Sequence, residues 1–405
     1  MNVLLVSPGF PAEMPLFTRA LARVGARVLG LGDQPASVLE PSAAASLDAY
    51  CCVPRLWDEE SVVHEVRQWL RGQSLDRIEC LWEPGMLLAA RLREALGVPG
   101  PTVEQTLPFR DKERMKETLD SAGIRTPRHA RARSKDECRE AAERIGYPLI
   151  IKPIAGAGSA DTYPLHEPAD LERSFELLQH VPEVSVEEFI DGEELTFDTV
   201  CAGGEILFRN VAWYRPRPLV MRLNGWISPQ SICLRDLEPA GVQAGCRMGE
   251  RVLEALGFDT GFAHMEWFST SSGEAVFGEI GARPPGGRLV HAMNFSADID
   301  LFTGWAEAVT SGRLSQDTRK RYNAAVVFKR AQGEGDTIRR IEGLESLLAR
   351  YGEAIAHVEL SPVGSPRSDW RQVIVGDGWL VARHPDLATT VEVADRIGTD
   401  LCVWS

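Results

Sequence analysis

Two strand-like runs, 261–269 and 275–282, flank the turn Thr270-Ser271-Ser272-Gly273 and carry His264-Met265-Glu266 and Glu279-Ile280-Gly281-Ala282-Arg283. Alternate residues of a strand share a face, so in a hairpin Glu266 and Glu279 can lie side by side. Like charges directly opposite destabilise a sheet unless a cation sits between them. Mg2+ takes one or two carboxylates and completes its shell with phosphate oxygens, which suits this pair. Arg283, four residues past Glu279, adds a planar cation fitted to a carboxylate or phosphate. Gly286-Gly287 then opens a helical stretch running to about 311, whose first N–H groups can face an anion. His264 shares a face with Glu266, where it can bind substrate, act as a base, or simply pack in the strand. His291 reads as structural.

A second group begins at Leu149-Ile150-Ile151-Lys152, an apolar strand ending in lysine, followed by the small residues Ala155-Gly156-Ala157-Gly158-Ser159-Ala160. Lys152 precedes the glycines, so this is no Walker A loop, and Asp161 stands where a dinucleotide turn needs its third glycine. A lysine buried without an anion would be costly, so an anionic ligand is the economical reading. Glu187-Glu188-Phe189-Ile190-Asp191-Gly192-Glu193-Glu194 follows; alone it could be a strand ending in solvent. The stretch 213–232, rich in Pro, Arg and Trp, reads as a long irregular loop that selects substrate.

These residues need elements to hold them. Over 1–108, strands at Val3-Leu4-Leu5-Val6, 27–31 and 77–82 alternate with helical patterns, which implies a parallel sheet with ligands at its carboxyl edge. Its first turn, Ser7-Pro8-Gly9-Phe10-Pro11, lacks the dinucleotide glycines. Asp111 can cap a helix ending near Gly123, and a second helix spans about 134–144. Residues 184–210 read as paired strands, and the last 85 residues add further strands and helices.

The whole chain has 405 residues, 44% apolar and 25% charged, as in an ordinary globular protein. A formal net charge of −14 argues against nucleic-acid or anionic-membrane partners. No run approaches the ~20 apolar residues needed to span a bilayer. Eight scattered cysteines, with no CxxC pair, read as free thiols in a reducing compartment, and the expected location is cytoplasmic.

Taken in order, the Asp-Lys helix at 111–112, the strand-Lys-glycine loop, the E-E-F-I-x-G-x-E hinge and the Glu…E-x-x-x-R pair resemble the ATP-grasp superfamily. The resemblance is greatest to L-amino-acid ligases of the bacilysin-synthetase type, with a C-terminal segment similar to a biotin-carboxylase subdomain. It implies a Rossmann-like α/β domain (1–108), a small α+β lobe (109–183), a large lobe with the metal site (184–318) and an α+β subdomain (319–405). It also implies ATP and Mg2+, with Mn2+ as a substitute, small-molecule carboxylate and amine substrates, an acyl-phosphate route to a dipeptide or amide, and compatibility with a homodimer. Other reactions of the superfamily, of biotin-carboxylase or purine-pathway type, and a non-catalytic nucleotide-binding protein are the alternatives.

By position, Lys112 and Lys152 would grip the phosphates, and Gly156, Gly158 and Ser159 would fold over them. Glu187, with the Glu188-Phe189-Ile190 hinge, would meet adenine, and Glu194 would accept the ribose hydroxyls. Glu266 and Glu279 would hold the metal. Arg283 would contact the γ-phosphate or the substrate carboxylate, and it or the helix start at Gly287 would steady an oxyanion. Many relatives carry E-x-N on the last strand, whereas Gly281 stands at the Asn position here.

Overall fold

The computed structural model describes residues 1–155, 161–371, 373 and 375–405, so the candidates Gly156, Gly158 and Ser159 lie outside the described residues. Its N-terminal sheet runs Ala49–Cys52, Arg27–Gly32, Asn2–Val6, Arg77–Cys80, with every pairing parallel. A parallel sheet must be covered on both faces. Val3 and Leu5 pack with Phe17 and Leu21 of helix Met14–Arg23. Leu4 and Val6 pack on the other face with Val62 and Val66 of helix Glu59–Leu70 and Leu88 of helix Met86–Leu96. Beyond the carboxyl end of Arg77–Cys80, Trp82, Glu83 and Pro84 reach the cavity described below.

A small antiparallel sheet follows, in the order His129–Ala132, Val184–Glu188, Leu149–Pro153, Tyr163–Leu165. Helices Lys135–Ile145 and Pro168–Leu177 supply Ala141, Ile145, Leu171 and Phe175 to its core. The sequence reading began the larger lobe at 184, but Val184–Glu188 is an inner strand of this small sheet. Val184 and Val186 are buried in its core, and an alternating pattern does not reveal which sheet a strand joins. Ser185 and Glu187 therefore turn to the opposite face, level with Lys152.

The largest sheet runs Ala275–Gly281, Gly261–Ser269, Glu193–Ala202, Ala212–Arg215, Gln230–Cys233, Asn323–Lys329, Gly378–His384, Ile355–Leu360, with Glu205–Asn210 paired to Glu193–Ala202. Gln230 pairs with Val327, so one continuous sheet joins the large lobe to the C-terminal region. The stretch 213–232 is not an irregular loop. Ala212–Arg215 and Gln230–Cys233 pair antiparallel, and helix Pro218–Leu223 bridges them. The helical stretch expected to about 311 is two helices, Leu289–Ala297 and Leu301–Ser311. The first stops where Asp298 turns left-handed, at φ 55°, and Asp300 caps the second. Among the described residues no helix is long and apolar enough to cross a membrane.

Helix Ala240–Ala255 lies close on this sheet because Gly245 and Gly249 stand where it meets the sheet. A Cβ on Gly245 would sit 2.1 Å from Trp267, and one on Gly249 would sit 2.2 Å from Phe197. Both rings are buried. Gly245→Ala is expected to destabilise the chain by about 1–3 kcal/mol through overpacking, although alanine favours a helix by roughly 0.5–1 kcal/mol. Gly241→Ala, on the same helix with its nearest contact at 3.7 Å, should be neutral or mildly stabilising. Urea unfolding of the two variants checks the contrast.

Candidate functional site

All four regions wall one cavity of about 690 Å³. The N-terminal sheet contributes Trp82 and Glu83, the small lobe Lys152 and Glu187, the large lobe Glu266, Glu279 and Arg283, and the C-terminal region Phe328, Arg330 and Trp370. Lys112, Glu188, Phe189, Ile190, Glu194, His264 and Gly287 line the same space. The structure thus gathers the sequence candidates that it describes.

The hairpin register sets Glu266 opposite Glu279. A bulge follows immediately, because Trp267 pairs with Phe277 and leaves Gly278 unmatched. A Cβ there would meet the Glu266 carbonyl oxygen at 2.8 Å, so the bulge needs glycine. The carboxylates are not left to repel. Lys112 Nζ lies 3.0 Å from Glu279 Oε1, and Glu266 Oε1 accepts from the Tyr214 hydroxyl at 3.3 Å. Among the described residues no three His, Cys, Asp or Glu gather into a metal cage. A facing carboxylate pair beside cations fits Mg2+ completed by phosphate oxygens.

Lys152 is held by Glu187 at 2.9 Å, whose other oxygen takes the ammonium of Lys116 at 2.6 Å. Burial opposes the charge on Lys152, but Glu187 and Glu279 outweigh it and hold the pKa above the usual lysine range. Burial also opposes ionisation of Glu187, and the two lysines more than reverse that, keeping its carboxyl well below the usual range. Glu187 thus anchors both lysines, one on each oxygen. Lys116, only 1% exposed, was not singled out from sequence; it lies one helical turn after Lys112, which is the signal that could have found it.

Arg283 Nε donates to Glu83 at 2.7 Å, and Arg110 binds the other oxygen of Glu83. Burial opposes the Arg283 charge and Glu83 restores it, raising the pKa above the ordinary arginine value. Sequence reasoning missed Glu83. An acid just beyond a parallel strand, at the edge where ligands gather, was the available clue. Gly287, at φ 62°, makes the turn into helix Leu289–Ala297.

At the hinge, the Glu188 carboxylate turns away to Arg125 and the Arg128 amide. Arg217 donates to the Ile190 carbonyl at 2.9 Å and lies 5.1 Å from the ring centres of Phe189 and Phe268. Its Nε is 3.5 Å from Glu194. Burial and the nearby Glu266 push Glu194 up to about 8.

His264 Nδ1 lies 2.6 Å from Asp198, and its Nε2 lies 3.5 Å from Glu266. Asp198 is fully buried and also accepts from Thr196 and Asn210. Burial opposes the imidazolium, but the two carboxylates raise its pKa to about 9. Its two ring nitrogens thus face two acids, Asp198 and Glu266. His291 is tied to Glu13 and packs against Phe302 and Trp379.

Residues 117–287 match the family model of the ATP-grasp domain. An L-arginine-specific L-amino acid ligase of Bacillus subtilis is 29% identical over 241 residues, 58% of this chain and 57% of that one. Dapdiamide A synthase of Enterobacter agglomerans is 28% identical over 224 residues, 53% of this chain and 52% of that one. The aligned part therefore spans little more than half the length of these curated relatives. Among solved structures, an L-amino acid ligase of Bacillus licheniformis superposes with a TM-score of 0.80 at 20% identity, covering 100% of this chain and 98% of that one. The chain carries an ATP-grasp domain, and its fold is the ATP-grasp fold.

Proposed function

We propose that this chain is an ATP-dependent ligase joining the carboxylate of one amino acid to the amine of another. The observation that carries the reading is the convergence of the Glu266–Glu279 pair, two anchored lysines and Arg283 on one cavity. The L-amino acid ligase similarity supports the substrate class.

In this reading Lys112 and Lys152 hold the nucleotide phosphates, the Phe189–Ile190 hinge takes adenine, and Glu194 takes the ribose. Adenine must then share the Ile190 carbonyl with Arg217 or displace it. Mg2+ held by Glu266 and Glu279 supplies charge neutralisation at the phosphates. His264, anchored by Asp198, positions Glu266. Arg283, steadied by Glu83, turns the substrate carboxylate toward the γ-phosphate.

One carboxylate oxygen attacks the γ-phosphorus and ADP leaves, which makes an acyl phosphate. The amine nitrogen attacks the acyl carbon, the C–O bond to phosphate breaks, and the amine proton leaves with phosphate or solvent. Arg283 and the N–H groups following Gly287 face the charge that develops on the acyl oxygen. The cavity wall shields the acyl phosphate from water.

The test is a matrix of amino-acid pairs with MgATP, read by ADP release and product mass. The expected result is ADP formed only with a productive pair, together with a product lighter than the two amino acids by one water. ADP release with bicarbonate and no amino acid would overturn the reading, as would no release with any pair.

A further inference from the structure

Arg330 is a buried cation with no counter-ion among the described residues. It is 3% exposed, yet it lines the cavity. Its Nη1 donates to the Met221 and Asn224 carbonyls at 2.9 and 3.0 Å, at the end of helix Pro218–Leu223. Its guanidinium stacks on Trp370, 4.5 Å from the ring centre, and Trp370 packs on the backbone of Gly225, where a Cβ would sit 2.7 Å from the ring. The plane is therefore fixed by one nitrogen and one face. Among the described residues the buried Nε has no hydrogen-bond partner and no bond uses Nη2. Burial alone pushes the pKa down to about 10.

Every other cation described above at this site has an acid or a hinge group against it. A charge taken from water and left unpaired is costly, whereas an immobilised guanidinium at a cavity wall, with donors still unused, is suited to a carboxylate. The activated carboxylate loses its charge on phosphorylation and lies with Arg283. A permanent buried cation instead suits the carboxylate that stays ionised throughout. We infer that Arg330, braced by Trp370 and the end of helix Pro218–Leu223, binds the α-carboxylate of the amino acid that supplies the amine. This rests on the ligase reading and adds the side chain that holds the acceptor's carboxylate.

The experiment compares wild type, Arg330→Met and Arg330→Lys on amino-acid acceptors and on their carboxamides. In Arg330→Met, KM for the amino-acid acceptor should rise about 10- to 100-fold, the loss of a charged hydrogen-bonded pair, while KM for the carboxamide and the affinity for ADP by titration stay unchanged. Arg330→Lys, keeping charge without the fork, should fall between. Equal losses on both acceptors would mean that the side chain only braces helix Pro218–Leu223, and loss of ADP affinity would mean that it serves the nucleotide. Either result overturns the inference.

A binding arm separates this inference from the ligase reading. The twenty L-amino acids and their carboxamides are scanned by thermal shift with MgADP present. At least one acid should stabilise wild type where its carboxamide does not, and Arg330→Met should lose that difference. Its absence from wild type overturns the subsite even if turnover is seen. Its presence without turnover keeps the subsite and removes the ligase.

Discussion

Glu279→Ala is expected to reduce ligase turnover by roughly 10³-fold or more, since metal charge stabilisation at a transferring phosphoryl group is worth several kcal/mol. The site leaves little room for substitution. Among the described residues Glu266 is the one acid registered opposite Glu279, and the Asn that many ATP-grasp strands add is Gly281 here. The variant also removes one partner of Lys112, at 3.0 Å, so activity alone would not separate lost metal binding from a shifted lysine. Mn2+ titration in the presence of ADP makes the separation. The loss should appear as weaker Mn2+ binding in Glu279→Ala and Glu279→Gln, with metal-free ADP affinity preserved. Full turnover in either variant would remove the carboxylate pair from its proposed role.

Glu187→Gln should cost about 3–5 kcal/mol of stability, the usual loss when one partner of a buried ion pair is removed. Here one 3%-exposed carboxylate separates two lysines that would otherwise repel across the cavity floor. The pH dependence follows from the direction of its shift. Glu187 is held below its unfolded value of 4.5, so its contribution is fully present above that pH and declines as pH falls through the folded pKa. The stability gap between wild type and variant, measured by denaturant unfolding from pH 7 to pH 3, should be constant down to about 5 and then narrow. A gap that widens with acid would contradict the pairing. MgATP should stabilise the variant more than wild type, because phosphate supplies the missing negative charge.

Much of the site was legible because its signals are local. Glu266 and Glu279 face one another through period-two alternation and a short turn, and Lys152 announced itself by ending an apolar strand. Other features depend on distant partners. Arg283 meets Glu83 across 200 residues, and Lys116 meets Glu187 across 71; spacing along the chain cannot reveal either. Strand Val184–Glu188 was assigned to the wrong lobe because alternation shows two faces, not which neighbour pairs. Between 213 and 232, Pro and Trp suggested irregularity, while Trp213 and Tyr214 are strand residues and Pro218 begins a helix. Arg330 gave no sequence signal; its burial without an acid exists only in the folded chain.

The central claim is that the cavity transfers the γ-phosphate of ATP to a carboxylate before the amine attacks. Turnover with a substrate labelled with ¹⁸O in its carboxylate tests this directly, with released phosphate and product read by mass. The account predicts one labelled oxygen in each phosphate, ADP as the nucleotide product, and one label kept in the new amide. Unlabelled phosphate, or AMP in place of ADP, would contradict it.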